Sequence, residues 1–285
     1  MTIYSHSRLS SFEQCPLKFK YRYLDKIKPD VEDSIESHLG KAVHATLEWL
    51  YTGVQKNILP SIEDLITYYS EEWERTFNPD TRIVRKNMSA GDYFNKGVQF
   101  LVDYYMKHKP FNDNTLEVEK RIAIDLDQEG KYKIRGFIDR LVYNLKEQRY
   151  EIHDYKTANM LPTQEKMDQD RQLALYSIAI KDIHGYDKEV VLIWHYLAHN
   201  TKITSKRTNE QLASLKRQTI ELIDKVERAT EFPPYISALC GWCEYKSMCP
   251  AFGGKQLERQ KKIKDFPEEV KDDEKNKEGD LNIWN

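Results

Sequence analysis

The chain has 285 residues, 40% of them hydrophobic, enough to build one large domain or two small ones around a core. A formal net charge of −2 gives no overall sign of a nucleic-acid partner, so any such affinity has to sit in local patches. No apolar run nears the roughly 20 residues of a membrane span, and the first eight residues lack the apolar stretch of a secretory signal; both place the chain in the cytoplasm, where four cysteines read more readily as metal ligands than as disulfides.

Between Arg8 and Lys28 the cations Arg8, Lys18, Lys20, Arg22, Lys26 and Lys28 outnumber the acids Glu13 and Asp25, and Phe19, Tyr21 and Tyr23 lie among them. Such a segment suits phosphate contact and base stacking, and it equally describes an amphipathic helix with a solvated face. Leu39, Val43, Leu47 and Leu50 recur at helical spacing. Ser61-Ile-Glu-Asp64 predicts a capping box that opens a helix to about Phe77, and Phe94, Val98, Leu101, Val102 and Tyr105 mark another apolar face. Three strand-like segments follow: Leu116 to Leu126 nearly alternates, Lys131 to Tyr143 is rich in β-formers, and Arg149 to Tyr155 is a short third run. Helical periodicity returns over Asp170 to Ile183, Glu189 to Leu197 reads as a buried strand, and Thr208-Asn-Glu-Gln211 caps a helix to about Ala229. The order helices, β-β-β, α, β, α predicts an α/β fold. From about Lys255 the chain is mostly charged, which predicts a flexible tail over 255–285.

On a strand, residues two apart share a face, so Asp154 and Lys156 project together, and Asp139 closes a Gly136-Phe-Ile-Asp139 run on the preceding strand. Two carboxylates at the end of paired strands suit Mg2+ or Mn2+, because hard cations select oxygen and neighbouring carboxylates resist joint ionisation without one. The lysine adds a positive charge that can orient an attacking water and offset charge in a transition state. The short acid-x-Lys motif also begins at Glu129, Glu244, Glu269 and Asp273, and a strand-edge ion pair explains it equally. Only at Asp154 does it close a strand, follow a Gly-x-x-Asp strand and precede a helix with Gln172 and Tyr176 on one face. His44 lies at the margin of its apolar stripe, where a lone histidine also reads as structural; as a ligand it would add a nitrogen to an oxygen-rich set and favour Mn2+. Glu119 is a further carboxylate on the first strand, in a run with Glu117 that also reads as solvent-facing. His6, His153, His195 and His199 show no grouping.

Cys240, Cys243 and Cys249 are spaced C-x2-C-x5-C, which can wrap three thiolates around one centre and leaves Cys15 as the only candidate for a fourth position. Iron–sulfur and zinc both suit such a set.

Taken in order, these residues resemble the PD-(D/E)XK nuclease superfamily, in particular the RecB-like exonucleases that carry an iron–sulfur cluster. Relatives there include the AddB nuclease domain, the nuclease domain of a eukaryotic helicase-nuclease and the CRISPR-adaptation exonucleases. The resemblance runs from about Ser7 to Pro250, through Cys15-Pro16, His44 in Gly40-Lys-Ala-Val-His-Ala45, Gly136-Phe-Ile-Asp139, Asp154-Tyr-Lys156, Gln172-x3-Tyr176 and the cysteine trio. It implies a restriction-endonuclease-like core, a mixed sheet flanked by helices, with an N-terminal helical region and a four-cysteine cluster joining the two ends. Residues 1–254 would form one nuclease domain with a helical insertion at about 55–110. His44, Asp139, Asp154 and the backbone carbonyl of Tyr155 would bind Mg2+ or Mn2+, Lys156 would be the catalytic lysine, and Gln172 and Tyr176 would hold the strand. The cysteines would hold a [4Fe–4S] cluster, with zinc as the alternative occupant.

The activity implied is a metal-dependent DNA exonuclease working on single-stranded ends in repair, recombination or replication. The alternatives are a CRISPR-adaptation nuclease that trims spacer precursors and a noncatalytic iron–sulfur DNA-binding subunit of a helicase-nuclease. Asp154 stands where many relatives have Glu. No phosphate-binding G-x-x-x-x-G-K-[ST] loop is present, so any motor would be a separate helicase.

Overall fold

The computed structural model describes residues 3–29 and 33–254; the segment expected to be a flexible tail, 255–285, lies outside them. Strand β1 (Ile3–Ser5) runs directly into α1 (His6–Gln14), whose first turn is capped by Ser5. Cys15 ends α1, and Pro16 opens α2 (Pro16–Phe19), where its missing N–H leaves nothing unsatisfied. A π-helical turn, Lys20–Leu24, follows. Three helices come next: α3 (Ile35–Gln55), capped by Ser34, α4 (Ile62–Thr76), with the predicted Ser61/Asp64 capping box, and α5 (Ala90–His108), with a second capping box between Ser89 and Asp92.

Strands β2 (Thr115–Asp125), β3 (Lys133–Asn144) and β4 (Arg149–Lys156) form an antiparallel meander. Helices α6 (Gln164–Asp168) and α7 (Gln172–His184) then lead to β5 (Val190–Tyr196), which pairs parallel to β4. Strand β6 (Thr201–Lys206) returns antiparallel to β5, and α8 (Asn209–Arg228) completes the α/β unit. Short 3-10 turns at Ala238–Gly241, Lys246–Met248 and Pro250–Phe252 carry the C-terminal cysteines. The sheet is therefore mixed, as expected. Two of its strands escape the sequence pattern: β1 is only three residues long, and β6 is a largely polar edge strand without a full apolar face.

The sheet separates two cores. On one side α1, α7 and α8 supply Leu9, Phe12, Leu173, Ile178, Leu212 and Ile223 against Ile122, Ile134, Ile152 and Trp194. On the other, α3, α4 and α5 supply Leu39, Leu47, Tyr69, Trp73, Leu101 and Tyr104, with Tyr155 of β4 packed into them. With both faces covered, all seven residues of β5 are buried, which is why it reads as a continuous apolar run rather than an alternation. A third, smaller cluster of Leu17, Tyr21 and Tyr245, with Cys15, Cys243 and Cys249 against it, joins the N-terminal helices to the C-terminal turns.

One expectation changes here. Phe19 and Tyr21 are fully buried, so neither can stack on a base. Lys18 and Arg22 pair with Glu244, at 3.0 and 3.6 Å, and the Arg8 guanidinium packs over the rings of Tyr4, Phe19 and Tyr23. The basic, aromatic pattern of this segment chiefly serves packing against the rest of the chain.

Candidate active site

Strand β3 organises the site. One of its edges pairs with β2; the other is shared by β1, at Lys133–Arg135, and β4, at Arg140–Asn144. Between these two partners, among the described residues, the Gly136–Asp139 stretch has no strand on that edge, and Asp139 sits at the point where β4 diverges. The Tyr155 amide, released from strand pairing by that divergence, donates to Asp139 Oδ2 at 3.0 Å. His44, near the middle of α3 and beside its buried stripe, closes the group. Its Nδ1 is 3.3 Å from Asp139 Oδ2, and its Nε2 is 2.7 Å from the carbonyl oxygen of Tyr155.

Glu119 faces Asp139 from β2. The register pairs Val118 with Arg140 and Lys120 with Ile138, leaving Glu119 between them with φ +48°, a left-handed conformation that costs a residue bearing a side chain. One ligand atom each from His44, Glu119 and Asp139 can lie within 4.8 Å of the others. That spacing is within reach of a single hard cation with oxygen ligands about 2.0–2.6 Å from it. Among the described residues it is the only group of three or more such side chains so close together. Asp139 itself is pushed up to about 6, mainly by burial and also by Asp154, against the opposing effects of His44 and the Tyr155 amide. A carboxylate in that condition gains most from a nearby cation. The residues therefore fit Mg2+ or Mn2+.

Asp154 lies beside this trio and outside it. Its Oδ2 is 2.7 Å from Lys156 Nζ, which also donates to Gln172 Oε1 at 3.3 Å. Burial alone would lower the Lys156 pKa, but the charges of Asp154 and Asp139 and the Asp154 hydrogen bond outweigh it, so the ammonium is held above its ordinary range. Tyr176 is fixed from the opposite element: a Cβ at Gly136 would lie 2.6 Å from its Cζ and hydroxyl oxygen, so its ring rests on bare β3 backbone. Its phenol is pushed up to about 12, chiefly by burial. Asp170, overlooked in the sequence, is half-buried and close enough to raise the Lys156 pKa further, and its own is raised chiefly by its partial burial.

Behind the site lies a polar network that no sequence pattern announced. Arg140 is fully buried over the Tyr51 ring, with its charge met by Asp113; Nε donates to Tyr155 Oη at 3.0 Å and Nη2 to His153 Nδ1 at 2.9 Å. His153 Nδ1 is also 2.8 Å from His195 Nε2, so the two histidines expected to be ungrouped are in contact. His6 is likewise not isolated: it lies near Arg171, Lys156 and Asp154, and burial foremost lowers it to about 4.

The four cysteines line one cavity, with Tyr235, Leu239, Lys246 and Phe252 around them. Backbone amides of Tyr235 and Ser237 donate to Cys15 Sγ and Cys240 Sγ at 3.4 and 3.3 Å. The expected tight cluster is not formed, because no three of the thiols lie within 4.8 Å of one another. Burial pushes the Cys243 thiol up, and a neutral thiol has little electrostatic reason to draw the others in.

A six-strand mixed sheet with helices on both faces, and acids, a histidine and a lysine gathered where two strands part, define an α/β protein whose clustered side chains could hold a divalent metal. A family profile described as the PD-(D/E)XK nuclease superfamily matches residues 3–250, and the chain belongs to that superfamily. No curated protein matches it. The crystal structure of SSO0001 aligns over 83% of this chain and 94% of that one at 17% identity, with a TM-score of 0.37, too slight a likeness to bear on the fold. Among the described residues no helix is long and apolar enough to cross a membrane.

Proposed function

We propose that the chain is a Mg2+- or Mn2+-dependent deoxyribonuclease that removes nucleotides from single-stranded ends, in DNA repair, recombination or replication. The observation that carries this reading is the approach of His44, Glu119 and Asp139 to within 4.8 Å, beside the Asp154–Lys156 ion pair. His44, Glu119 and Asp139 would hold the metal, with Asp154 and the Tyr155 carbonyl completing the set. When bound, a divalent ion supplies Lewis-acid charge to a phosphoryl oxygen and a nucleophilic water at neutral pH.

In the metal-free chain, against the effect of burial, the charges of Asp154 and Asp139 favour the ammonium form of Lys156, which suits a charged donor better than a general base. Its role is that of a fixed donor and positive charge, aimed by Asp154 and Gln172, that steadies the attacking water and offsets charge developing on the phosphate. Gln172 and Tyr176, one turn apart at the start of α7, contact the strand being cut.

For the cysteines we propose a [4Fe–4S] cluster. The support is that thiols from both ends of the chain line one cavity and that no three of them lie within 4.8 Å of one another, a wider set than the about 3.8 Å spacing at which tetrahedral zinc holds thiolates 2.3 Å from itself. Stoichiometric zinc without iron or sulfide in anaerobically purified protein would overturn that assignment.

The nuclease reading is tested with anaerobically purified protein and end-labelled DNA in Mg2+ or Mn2+. The expected result is shortening of linear single strands from an end, with covalently closed single-stranded circles spared. Equal cutting of circles, with fragments of random length from the earliest times, overturns the exonuclease; no cutting of any DNA with either metal overturns the enzyme.

A further inference from the structure

A second cavity opens directly beyond the catalytic lysine. Its floor is the segment after β4, Thr157 to Met160, and its walls come from the start of α3, from α5, from Arg85 in the preceding loop and from Trp242. The cavity measures about 630 Å3, within the about 300–1,000 Å3 typical of sites that enclose a small ligand. Nothing in the proposed chemistry uses it, and its lining is distinctive.

Two cations, Arg85 and Lys96, face one acid, Glu36, whose Oε1 accepts from the Tyr93 hydroxyl at 2.7 Å while its Oε2 is buried without a hydrogen-bond partner, so the cations outnumber the acid two to one. Among the described residues neither Arg85 nor Lys96 is in an ion pair. That contrasts with Lys18 and Arg22, whose charges are met by Glu244. Large apolar groups are exposed beside these cations: Met160 is 76% exposed and Trp242 40% exposed. Lys96 donates to Met88 Sδ at 3.6 Å and lies 5.3 Å from the centre of the Tyr93 ring, contacts that leave its charge unneutralised. An exposed indole and two cations outside any ion pair in one concave site, one residue past Lys156, form the combination that holds an unpaired base by its face and its phosphate by charge.

Trp242 also has an unusual support. It sits inside the Cys240–Cys243 turn, and its neighbour Gly241 lies against the loop that bears Arg85, close enough that a Cβ there would be 3.9 Å from Val84 Cγ1. The cysteine-bearing turn thus forms a wall of the cavity as well as joining the ends of the chain.

Resting on the proposed nuclease activity, we propose that this cleft binds the nucleotide adjacent to the scissile phosphate in single-stranded DNA, its base stacked on Trp242 and its phosphate held by Arg85 and Lys96. Stacking requires an unpaired base, so the cleft selects single strands. It also makes the cysteine-bearing turn part of substrate binding, apart from its role in stability.

The test measures binding by the full chain carrying Lys156→Ala, so that DNA survives, in Mg2+ with a labelled single-stranded oligonucleotide and an abasic oligonucleotide of the same length. Trp242→Ala should weaken binding to the normal oligonucleotide about tenfold and leave binding to the abasic one nearly unchanged, while Trp242→Phe keeps most of the affinity. Arg85→Ala with Lys96→Ala should weaken both and lower the slope of log affinity against log salt by about 1.4, the loss expected for two phosphate contacts on a single strand. If the parent binds and these variants bind as it does, the subsite is wrong while the nuclease reading stands. Equal weakening of normal and abasic DNA by Trp242→Ala, as a disturbed fold would produce, also overturns the stacking. A parent with no affinity for single strands removes the subsite together with the single-strand reading.

Discussion

The backbone amide of Tyr155 donates to Asp139 Oδ2 at 3.0 Å, so the carboxylate is aimed by the main chain of the neighbouring strand at the place where the two strands part. Tyr155 is itself pinned from the far face of the sheet, where its hydroxyl accepts from Arg140 Nε and its ring packs among α3 and α5 residues. The orientation of the acid is thereby tied to a buried network on the opposite side from Lys156. Such support matters because charge stabilisation depends on groups already in place before the reaction.

Removing the ammonium of Lys156 should lower the cleavage rate at least about a hundredfold, the scale for losing one preorganised charge-stabilising group. Lys156→Ala should retain its Mn2+ affinity by calorimetry, because the nearby trio of His44, Glu119 and Asp139 does not include it. Wild-type rates for both Lys156→Ala and Asp154→Ala would show that the site is misassigned.

Glu119 gives the opposite pattern. Its left-handed backbone is strained for any residue with a Cβ, so Glu119→Gly should leave thermal stability unchanged or raised while weakening Mn2+ binding at least tenfold. Glu119→Gln keeps the strain and should lose the metal affinity alone. Unchanged Mn2+ affinity in both variants would remove Glu119 from the ligand set.

The contrast between Glu119 and Lys156 also marks the limit of sequence reading. Asp154 and Lys156 were placed correctly at the end of β4 by strand alternation, whereas Asp139, expected at a strand end, lies in the middle of β3, where pairing with β4 stops; the helices were legible from their caps and apolar stripes. Glu119 was ambiguous because a regular strand makes it one of several near-surface acids, and it joins the trio only through a backbone kink that alternation does not encode. The His153–His195 contact was hidden for a different reason: it joins two parallel strands whose pairing is set by the tertiary fold. The Arg8 to Lys28 aromatics misled because burial, not composition, decides whether a ring is free to stack.

Gly136 explains why the Gly-x-x-Asp run begins as it does. Any Cβ there meets the Tyr176 ring at 2.6 Å, so Gly136→Ala must displace it, at an expected cost of about 1–3 kcal/mol for overpacking a tight core. Combining Gly136→Ala with Tyr176→Leu should recover much of that stability by denaturant melts, because the two changes share one space and are not additive. DNA affinity should not recover. Additive losses of stability would mean that Tyr176 does not occupy that space in solution.

The histidines behind the sheet make stability depend on acid. Both Arg140 Nη2 and His195 Nε2 lie within hydrogen-bond distance of His153 Nδ1, an arrangement satisfied when that nitrogen accepts, so protonating His153 there would set an N–H against the guanidinium. Burial first, then Arg140, holds His153 well below its ordinary value; burial, His153 and Arg140 do the same for His195, and His108 is lowered to about 4 mainly by burial. In the unfolded chain each titrates near about 6.5. Below that pH the unfolded state takes up protons that the folded state refuses, so stability falls as pH drops through the window from 6.5 toward the folded values. For the two buried imidazoles, His153 and His195, the slope is up to about 1.4 kcal/mol per pH unit each. Asp139 acts with the reverse sign: raised to about 6, it takes its proton first in the folded state and stabilises that state as pH falls toward the ordinary carboxylate value. Asp170, also raised, acts with Asp139, and His6, also lowered, acts with the three imidazoles behind the sheet, so among these groups two carboxylates against four imidazoles leave a net loss. Metal-free protein should therefore melt at steadily lower temperature from pH 7 to pH 5, and His195→Gln should flatten that slope by about one proton. A melting temperature that holds or rises across this range would show that the cluster accepts protons in the folded state and that Arg140 does not exclude them.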